Sequence, residues 1–387
     1  MIIINGNIIT MSGENYKNGY IKIVDNKIAE IGNTSDLAEF SDECIDANGG
    51  YVLPGFIDAH THLGVITDSV GFEGDDLNEE TDPVTPHLRA IDSINSFDRC
   101  INEAADAGVT TVLTGPGSAN VIGGQISAIK TVSGMVDEQI VDMFVGMKFA
   151  LGENPKCTYN EKSQTPITRM GAVALIREQL EKTKRYMQDK QKAIEEEEDL
   201  PDYDMKCEAL IPIIKREKKA FFHAHRADDI FTAIRIAKEF NLDYVLVHAT
   251  EGHLIANKLK EIKPNIITGP IIGDRSKPEL RNSEIYNSEK LIDNGLNLAI
   301  CTDHPEVPIQ YLALSSALAL KNKIPFEEIL KCITINAAKI AGIDNRVGSI
   351  EIGKDADIII FNDNPLEVAS YPKCVIINGN IVKQSRL

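Results

Sequence analysis

The chain has 387 residues, 43% of them hydrophobic, and a formal net charge of −18. This length allows one large domain plus a small one, and the hydrophobic fraction is that of an ordinary globular protein. No apolar run reaches the roughly 18 residues of a membrane-spanning helix, and so acidic a surface repels nucleic acid and anionic lipid.

The first segment, Met1-Ile2-Ile3-Ile4-Asn5-Gly6, reads as a strand entering a turn and not as a secretory signal. Up to about residue 50, short alternating stretches (Ile2 to Ile9, Ile21 to Val24, Lys27 to Ile31) are punctuated by Gly6, Gly19, Gly32 and Gly49-Gly50. Strands joined by turns are expected there. Pro54-Gly55-Phe56-Ile57-Asp58-Ala59-His60-Thr61-His62-Leu63 then predicts a buried strand ending in two histidines. Strand side chains alternate faces, so His60 and His62 point the same way and can reach one metal ion.

The middle of the chain alternates apolar strands with helical patterns. Val109 to Leu113, Ala220 to Phe222, Tyr244 to Val247, Ile266-Ile267 and Leu298 to Ile300 are strands. Ile230, Ile234, Ala237 and Phe240 mark one helix; Ile329, Leu330, Ile333, Ala337 and Ile340 mark another. This α/β alternation predicts a (β/α)8, TIM-like barrel. Glu181 to Asp204, dense in Lys, Glu and Asp, breaks the rhythm and reads as a solvated helix with an exposed loop. Gly115 to Gln125 is a glycine-rich loop without the Lys-Ser/Thr of a phosphate loop, so it reads as a barrel loop that shapes the pocket.

The tail returns to short strands: Gly348 to Ile350, Ala356 to Phe361 and Cys374 to Val382. Ile377-Asn378-Gly379-Asn380 predicts a tight hairpin turn and echoes Ile4-Asn5-Gly6-Asn7. The two ends are therefore expected to join in one small β-domain. The seven cysteines, Cys44, Cys100, Cys157, Cys207, Cys301, Cys332 and Cys374, are scattered and form no Cys-x-x-Cys, which argues against a disulfide framework and fits a reducing cytoplasm.

Polar side chains recur at the ends of the predicted strands: His60 and His62, Lys148, His223 and His225, His248, and Asp303 with His304 beside it. In a barrel all strand C-termini open on one face, where active sites form. Imidazole and carboxylate suit zinc and similar divalent metals. A bound ion brings the pKa of water from about 16 to near 7, and Asp303 can take a proton and later hand it to a leaving nitrogen. Lys148 cannot bind metal as an ammonium. It pairs with a carboxylate, or it reacts with carbon dioxide and bridges two ions. Arg169 offers a clamp for a substrate carboxylate or is a surface arginine. His304 should face away from Asp303's side of the strand unless the loop turns it toward the pocket. His87 and His253 read as structural.

Together, Pro-Gly-Phe-Ile-Asp-Ala-His-Thr-His at 54–62, His-Ala-His at 223–225, His248, Thr-Asp-His-Pro at 302–305 and the tail Thr334 to Lys339 and Arg346 to Asp357 resemble the metal-dependent amidohydrolase superfamily. The resemblance covers nearly all of the chain. It implies a barrel over 54–346 with a small β-sandwich built from 1–53 plus 347–387. It implies that His60, His62 and Asp303 hold a first ion, that His223 and His248 hold a second, and that carboxylated Lys148 bridges them. The segment from Met147 to Gly152 is similar to that of the prolidase-like branch, whose lysine is the bridge. His225 falls near the place where similar heterocycle deaminases keep a glutamate, which counts against deamination and makes His225 a candidate substrate contact with Arg169 and His304.

The implied activity is hydrolysis of an amide or peptide-like C–N bond in a small-molecule substrate, with one or two Zn2+ ions. The alternatives are a mononuclear hydrolase or deaminase of a heterocycle similar to imidazolonepropionase, and a non-catalytic scaffold of the same fold. Relatives often form dimers or larger assemblies. No nucleic-acid or membrane partner is expected.

Overall fold

The computed structural model describes residues 1–37, 43–320 and 324–385. Five strands open the chain: β1 (Ile2–Ile8), β2 (Tyr16–Val24), β3 (Lys27–Asn33), β4 (Cys44–Asp46) and β5 (Tyr51–Pro54). Eight more follow: β6 (Phe56–Thr61), β7 (Val109–Thr114), β8 (Ile122–Lys130), β9 (Ile140–Ala150), β10 (Lys219–Ala224), β11 (Tyr244–His248), β12 (Asn265–Thr268) and β13 (Leu298–Ile300). The last three are β14 (Ile358–Phe361), β15 (Cys374–Ile377) and β16 (Asn380–Gln384).

Strands β6 to β13 form one eight-stranded sheet in chain order, the TIM-like barrel. It closes through the turn after β13. Asp303 N–H donates to the His60 carbonyl at 3.2 Å, and His62 N–H to the His304 carbonyl at 2.8 Å. The expected strand–helix alternation fails at one place. β8 runs antiparallel to both β7 and β9, because only residues 115–121 connect β7 to β8 and a parallel crossover needs a dozen or more. The glycine-rich stretch therefore ends at Val121, and Ile122 onward is strand.

Inside the barrel, Ile57, Leu113, Ile126, Val145, Phe221, Val245, Val247, Ile267 and Ala299 pack in one cluster with Ala337, Ala338 and Ile340. The last three belong to the helix Ile335–Ala341, which plugs the N-terminal ends of the strands. Each large apolar side chain buried this way contributes about 1.5–3 kcal/mol. The helical pattern at 329–340 is split in two, Phe326–Lys331 and Ile335–Ala341, with a break at residues 332–334. The outer face packs against helices such as Ala227–Glu239.

The other sheet has the order β16-β15-β14-β5-β1-β2-β3, with β4 also on β1, so strands from both ends of the chain share one set of hydrogen bonds. Asn378 and Gly379 form the expected two-residue turn, with φ of 49° and 75°. The same letters at 5–6 do something else. Asn5 (φ 55°) lies inside β1, at a shift in register between Ile3 and Gly6. Gly348 to Ile350 is not a strand; the Ile350 N–H instead donates to the Thr10 carbonyl at 2.8 Å.

A buried ionic cluster lies between the two sheets. Lys130, the last residue of β8, is 1% exposed; it is 3.1 Å from Asp355 and closer still to Asp357. Asp355 also meets Lys27 at 2.6 Å and Arg346 at 2.8 Å. The charged stretch from 181 is the outer part of a helix spanning Arg169–Glu195, followed by an exposed loop, as predicted. Among the described residues no helix is long and apolar enough to cross a membrane.

Candidate active site

Strand ends at the barrel mouth bring the polar residues together. His60, His62, Lys148, His223, His225, His248, Thr250, Lys277 and Asp303 all line one cavity of ≈ 400 Å³. His60 and His62 share a face as their spacing predicts: the Nε2 atoms of both lie 3.3 Å from Asp303 Oδ1. Asp303 stands in the turn after β13, beyond Ala299 and Cys301, which face the barrel interior, and its φ of 56° takes it out of strand geometry. Asp58, buried in the middle of β6, grips the turn by accepting the Thr302 N–H at 3.1 Å and its hydroxyl at 2.5 Å. Burial, opposed by these hydrogen bonds, pushes Asp58 up to about 7.

His223, His225 and His248 form a second group, with the three ring centroids 4.6 Å apart pairwise. His223 lies on β10 with His225 just past its end, and His248 ends the adjacent β11, where a φ of 72° breaks the strand's alternation. Lys148, fully buried on β9, has its Nζ 3.0 Å from His60 Nε2. Burial lowers that amine to about 8.

The donor chemistry fits a cation. Carbonyl oxygens only accept, so His62 Nδ1 donates to Gly115 at 2.8 Å and His248 Nδ1 donates to Gly269 at 2.7 Å. In the neutral ring each then turns its Nε2 lone pair to the cavity, the usual arrangement of an imidazole held from behind for metal. A lone pair of His62 thus faces the Asp303 carboxylate at 3.3 Å. Only a proton or a metal between them makes that contact favourable. Neither ring nitrogen of His223 has a hydrogen-bond partner, although both are buried. Burial, the leading cause in each case, holds His60, His223 and His225 well below the ordinary imidazole value and His248 at about 4. Burial also works to raise Asp303, but the imidazoles of His248, His60 and His62 outweigh it and keep the carboxyl well below its usual range.

The metal-free chain binds fewer protons folded than unfolded between about pH 6.5 and 4, because unfolded histidines titrate near 6.5. Each such imidazole lowers stability on acidification by up to about 1.4 kcal/mol per pH unit. Asp58, raised by burial, acts in the opposite sense but is a single group against four. Melting of the metal-free protein is expected at a lower temperature at pH 5 than at pH 7; an equal or higher midpoint at pH 5 would refute the neutral-imidazole assignment.

Two predicted substrate contacts lie elsewhere. Arg169 does not line the cavity; its guanidinium makes a two-pronged bond to the buried Asp229, at 2.8 and 3.0 Å. That bond uses the fork a substrate carboxylate would need. His304 is buried on the far side from Asp303, where its Nδ1 accepts the Ile309 N–H at 3.3 Å. His225 does reach the cavity, with Nδ1 2.7 Å from Thr250 Oγ1.

The structure adds Glu279, a carboxylate 1% exposed. Its Oε1 is 3.6 Å from His225 Nε2, 4.0 Å from His223 Nε2 and 2.9 Å from Lys277 Nζ. Glu279 comes from a short turn in the loop after β12, with no strand end or periodicity to signal it. Gly115 to Val121 shapes the pocket as expected: Gly117, Ser118 and Ala119 line it, and Gly115 holds His62.

The amidohydrolase family profile matches residues 51–382, and the chain belongs to that family. It is a metal-dependent hydrolase of carbon–nitrogen bonds, the class in which divalent metal is general. The solved structure of an amidohydrolase from Thermotoga maritima MSB8 is similar at 38% identity and a TM-score of 0.95, covering 99% of this chain and 100% of that one. Amidohydrolase tasK of Hapsidospora irregularis is 28% identical over 91% of this chain, which spans only 38% of that protein. Imidazolonepropionase of Fusobacterium nucleatum subsp. nucleatum is 24% identical over 96% of this chain and 91% of that one.

Proposed function

We propose that the enzyme hydrolyses an amide or peptide-like bond of a small molecule, a linear dipeptide-like or N-acyl amino acid being the first choice. The observation that carries this reading is the convergence of His60 and His62 Nε2 on one oxygen of Asp303, each at 3.3 Å. These three residues would hold a first zinc ion, and His223 and His248 would take part in holding a second. When bound, the metal supplies a Lewis acid and an activated water at neutral pH. Asp303 would hold a proton on its carboxylate and deliver it to the leaving nitrogen. The buried walls around the imidazoles exclude bulk water from this transfer. Lys277, from the loop after β12, and Asn154 are 3.0 Å apart and give the cavity wall a polar face for the substrate's oxygens.

In this reading Lys148, once carboxylated, would help to hold the ions. Its lowered amine makes the free base more abundant near neutral pH than for an ordinary lysine, and only the free base adds carbon dioxide, losing a proton. The second reading, a mononuclear hydrolase of a cyclic amide, is favoured by the similarity to imidazolonepropionase along 96% of the chain. A scaffold role is disfavoured by the complete donor set. We further propose that 1–53 plus 347–387 form a β-sandwich domain apart from the barrel at 54–346, that the protein works in the cytoplasm, and that it forms homo-oligomers.

Chelation tests the central claim. Dialysis against a strong chelator is expected to lower turnover of a responsive amide substrate by about 10³-fold or more, with recovery on adding zinc. Undiminished turnover in protein shown by elemental analysis to be metal-free would overturn it.

A further inference from the structure

We propose that His225 is a ligand of the second metal ion, completing a three-imidazole site with His223 and His248, and that Glu279 is the buried carboxylate that balances its charge. The proposal rests on the metal-dependent reading above and reassigns His225 from substrate contact to metal ligand.

One ligand atom from each of His223, His225 and His248 can be chosen so that all lie within 4.8 Å of one another, and all three residues are buried. Ligand nitrogens on one zinc ion, each about 2.0–2.1 Å from it, can be at most about 4.2 Å apart, so small side-chain shifts complete the shell. His225 has little freedom to serve a substrate. Thr250 holds its Nδ1 at 2.7 Å. Its Nε2 is left facing the same space as His223, whose two nitrogens have no hydrogen-bond partner at all.

Charge points the same way. Three neutral imidazoles bring no negative charge of their own to a divalent ion, which would have only its share of a carboxylated Lys148, whereas the His60–His62 site also has Asp303. Glu279 supplies a further carboxylate beside the three imidazoles. Its Oε1 lies 3.6 and 4.0 Å from the Nε2 atoms of His225 and His223, too far for hydrogen bonds and close enough to feel a cation between them. Its position is built and not incidental. Oε2 accepts the Glu153 N–H at 3.0 Å, while the Glu279 N–H donates to Glu153 at 3.1 Å. Gly152, with φ of 93°, leaves room for it: a Cβ there would come within 2.8 Å of Glu279 Oε2. Lys277 pairs with the same carboxylate from the cavity side.

Elemental analysis of zinc-repleted protein tests this without an activity assay. Wild type is expected to hold two zinc ions per chain, His225→Ala one, and His62→Ala one. Glu279→Gln is expected to keep both but to lose one to a competing chelator about 10–100-fold more readily, the usual effect of removing a partner just outside the shell. His225→Gln, closer in size and polarity, replaces His225→Ala if that variant does not fold by circular dichroism. If the His225 variant retains two ions and shows only a raised KM, the proposal is overturned and His225 is a substrate contact. If wild type holds a single ion, the two-ion reading fails on its own. The His225 assignment then stands if that ion is lost in the His225 variant and kept in His62→Ala, and falls if the reverse is found.

Discussion

Asp303→Asn is expected to lower kcat by about 10³-fold or more while leaving the fold intact. Two effects combine. A carboxylate positioned for proton transfer contributes about 10²–10⁴-fold to such reactions, and the same oxygen stands 3.3 Å from both His60 and His62 Nε2. Asparagine occupies the same volume but offers only a neutral oxygen or an N–H. It neither takes a proton nor brings charge to a cation. The backbone should tolerate the change, because Asp303 has φ of 56°, a region that asparagine enters readily, and because Asp58 grips the neighbouring Thr302 rather than residue 303 itself. The measurement is kcat with melting temperature and zinc content on the same preparation. Turnover within tenfold of wild type would remove Asp303 from the proton path.

Lys130→Met is expected to cost about 3–5 kcal/mol of stability, the range for removing one partner of a buried ion pair. The penalty comes less from the lost attraction than from what remains. Asp357, 5% exposed, loses the closest cation to it and keeps neutral donors such as the Asn378 N–H at 2.9 Å. Asp355 keeps Lys27 and Arg346 but also loses a partner. The side chain of Lys27 is 43% exposed, so solvent screens its pairing. Urea denaturation of wild type and variant measures the difference. Adding Asp357→Asn to Lys130→Met should recover part of it, because the stranded charge is then gone. Midpoints that coincide for wild type and the single variant would show the cluster to be energetically neutral.

The parts of the site written in strand alternation were legible in the sequence. His60 with His62 and His223 with His225 obey a period of two, and a barrel delivers every strand end to one rim; Asp303 was legible only as the acid just past an apolar strand, because its φ of 56° takes it out of alternation. The parts held by loops were not. Glu279 and Thr250 depend on where the chain travels after a strand, which no local pattern records. Arg169 misled because an arginine at a helix start near the mouth looks the same whether its partner is a ligand or, as here, Asp229. The antiparallel β8 was within reach: seven residues from Gly115 to Val121 cannot carry a crossover helix. Asn-Gly was reliable at 378–379 and unreliable at 5–6, because the turn depends on the strands that flank it.

The sheet shared by both ends of the chain also governs how the protein is made. β5 pairs with β14 through Val52↔Ile360 and its neighbours, so during synthesis on the ribosome the earliest strands keep an open, aliphatic edge until β14 has been translated, after every strand of the barrel. The nascent chain is thus open to self-association all the while the barrel is being elongated, and chaperone demand should fall only once β14 has emerged.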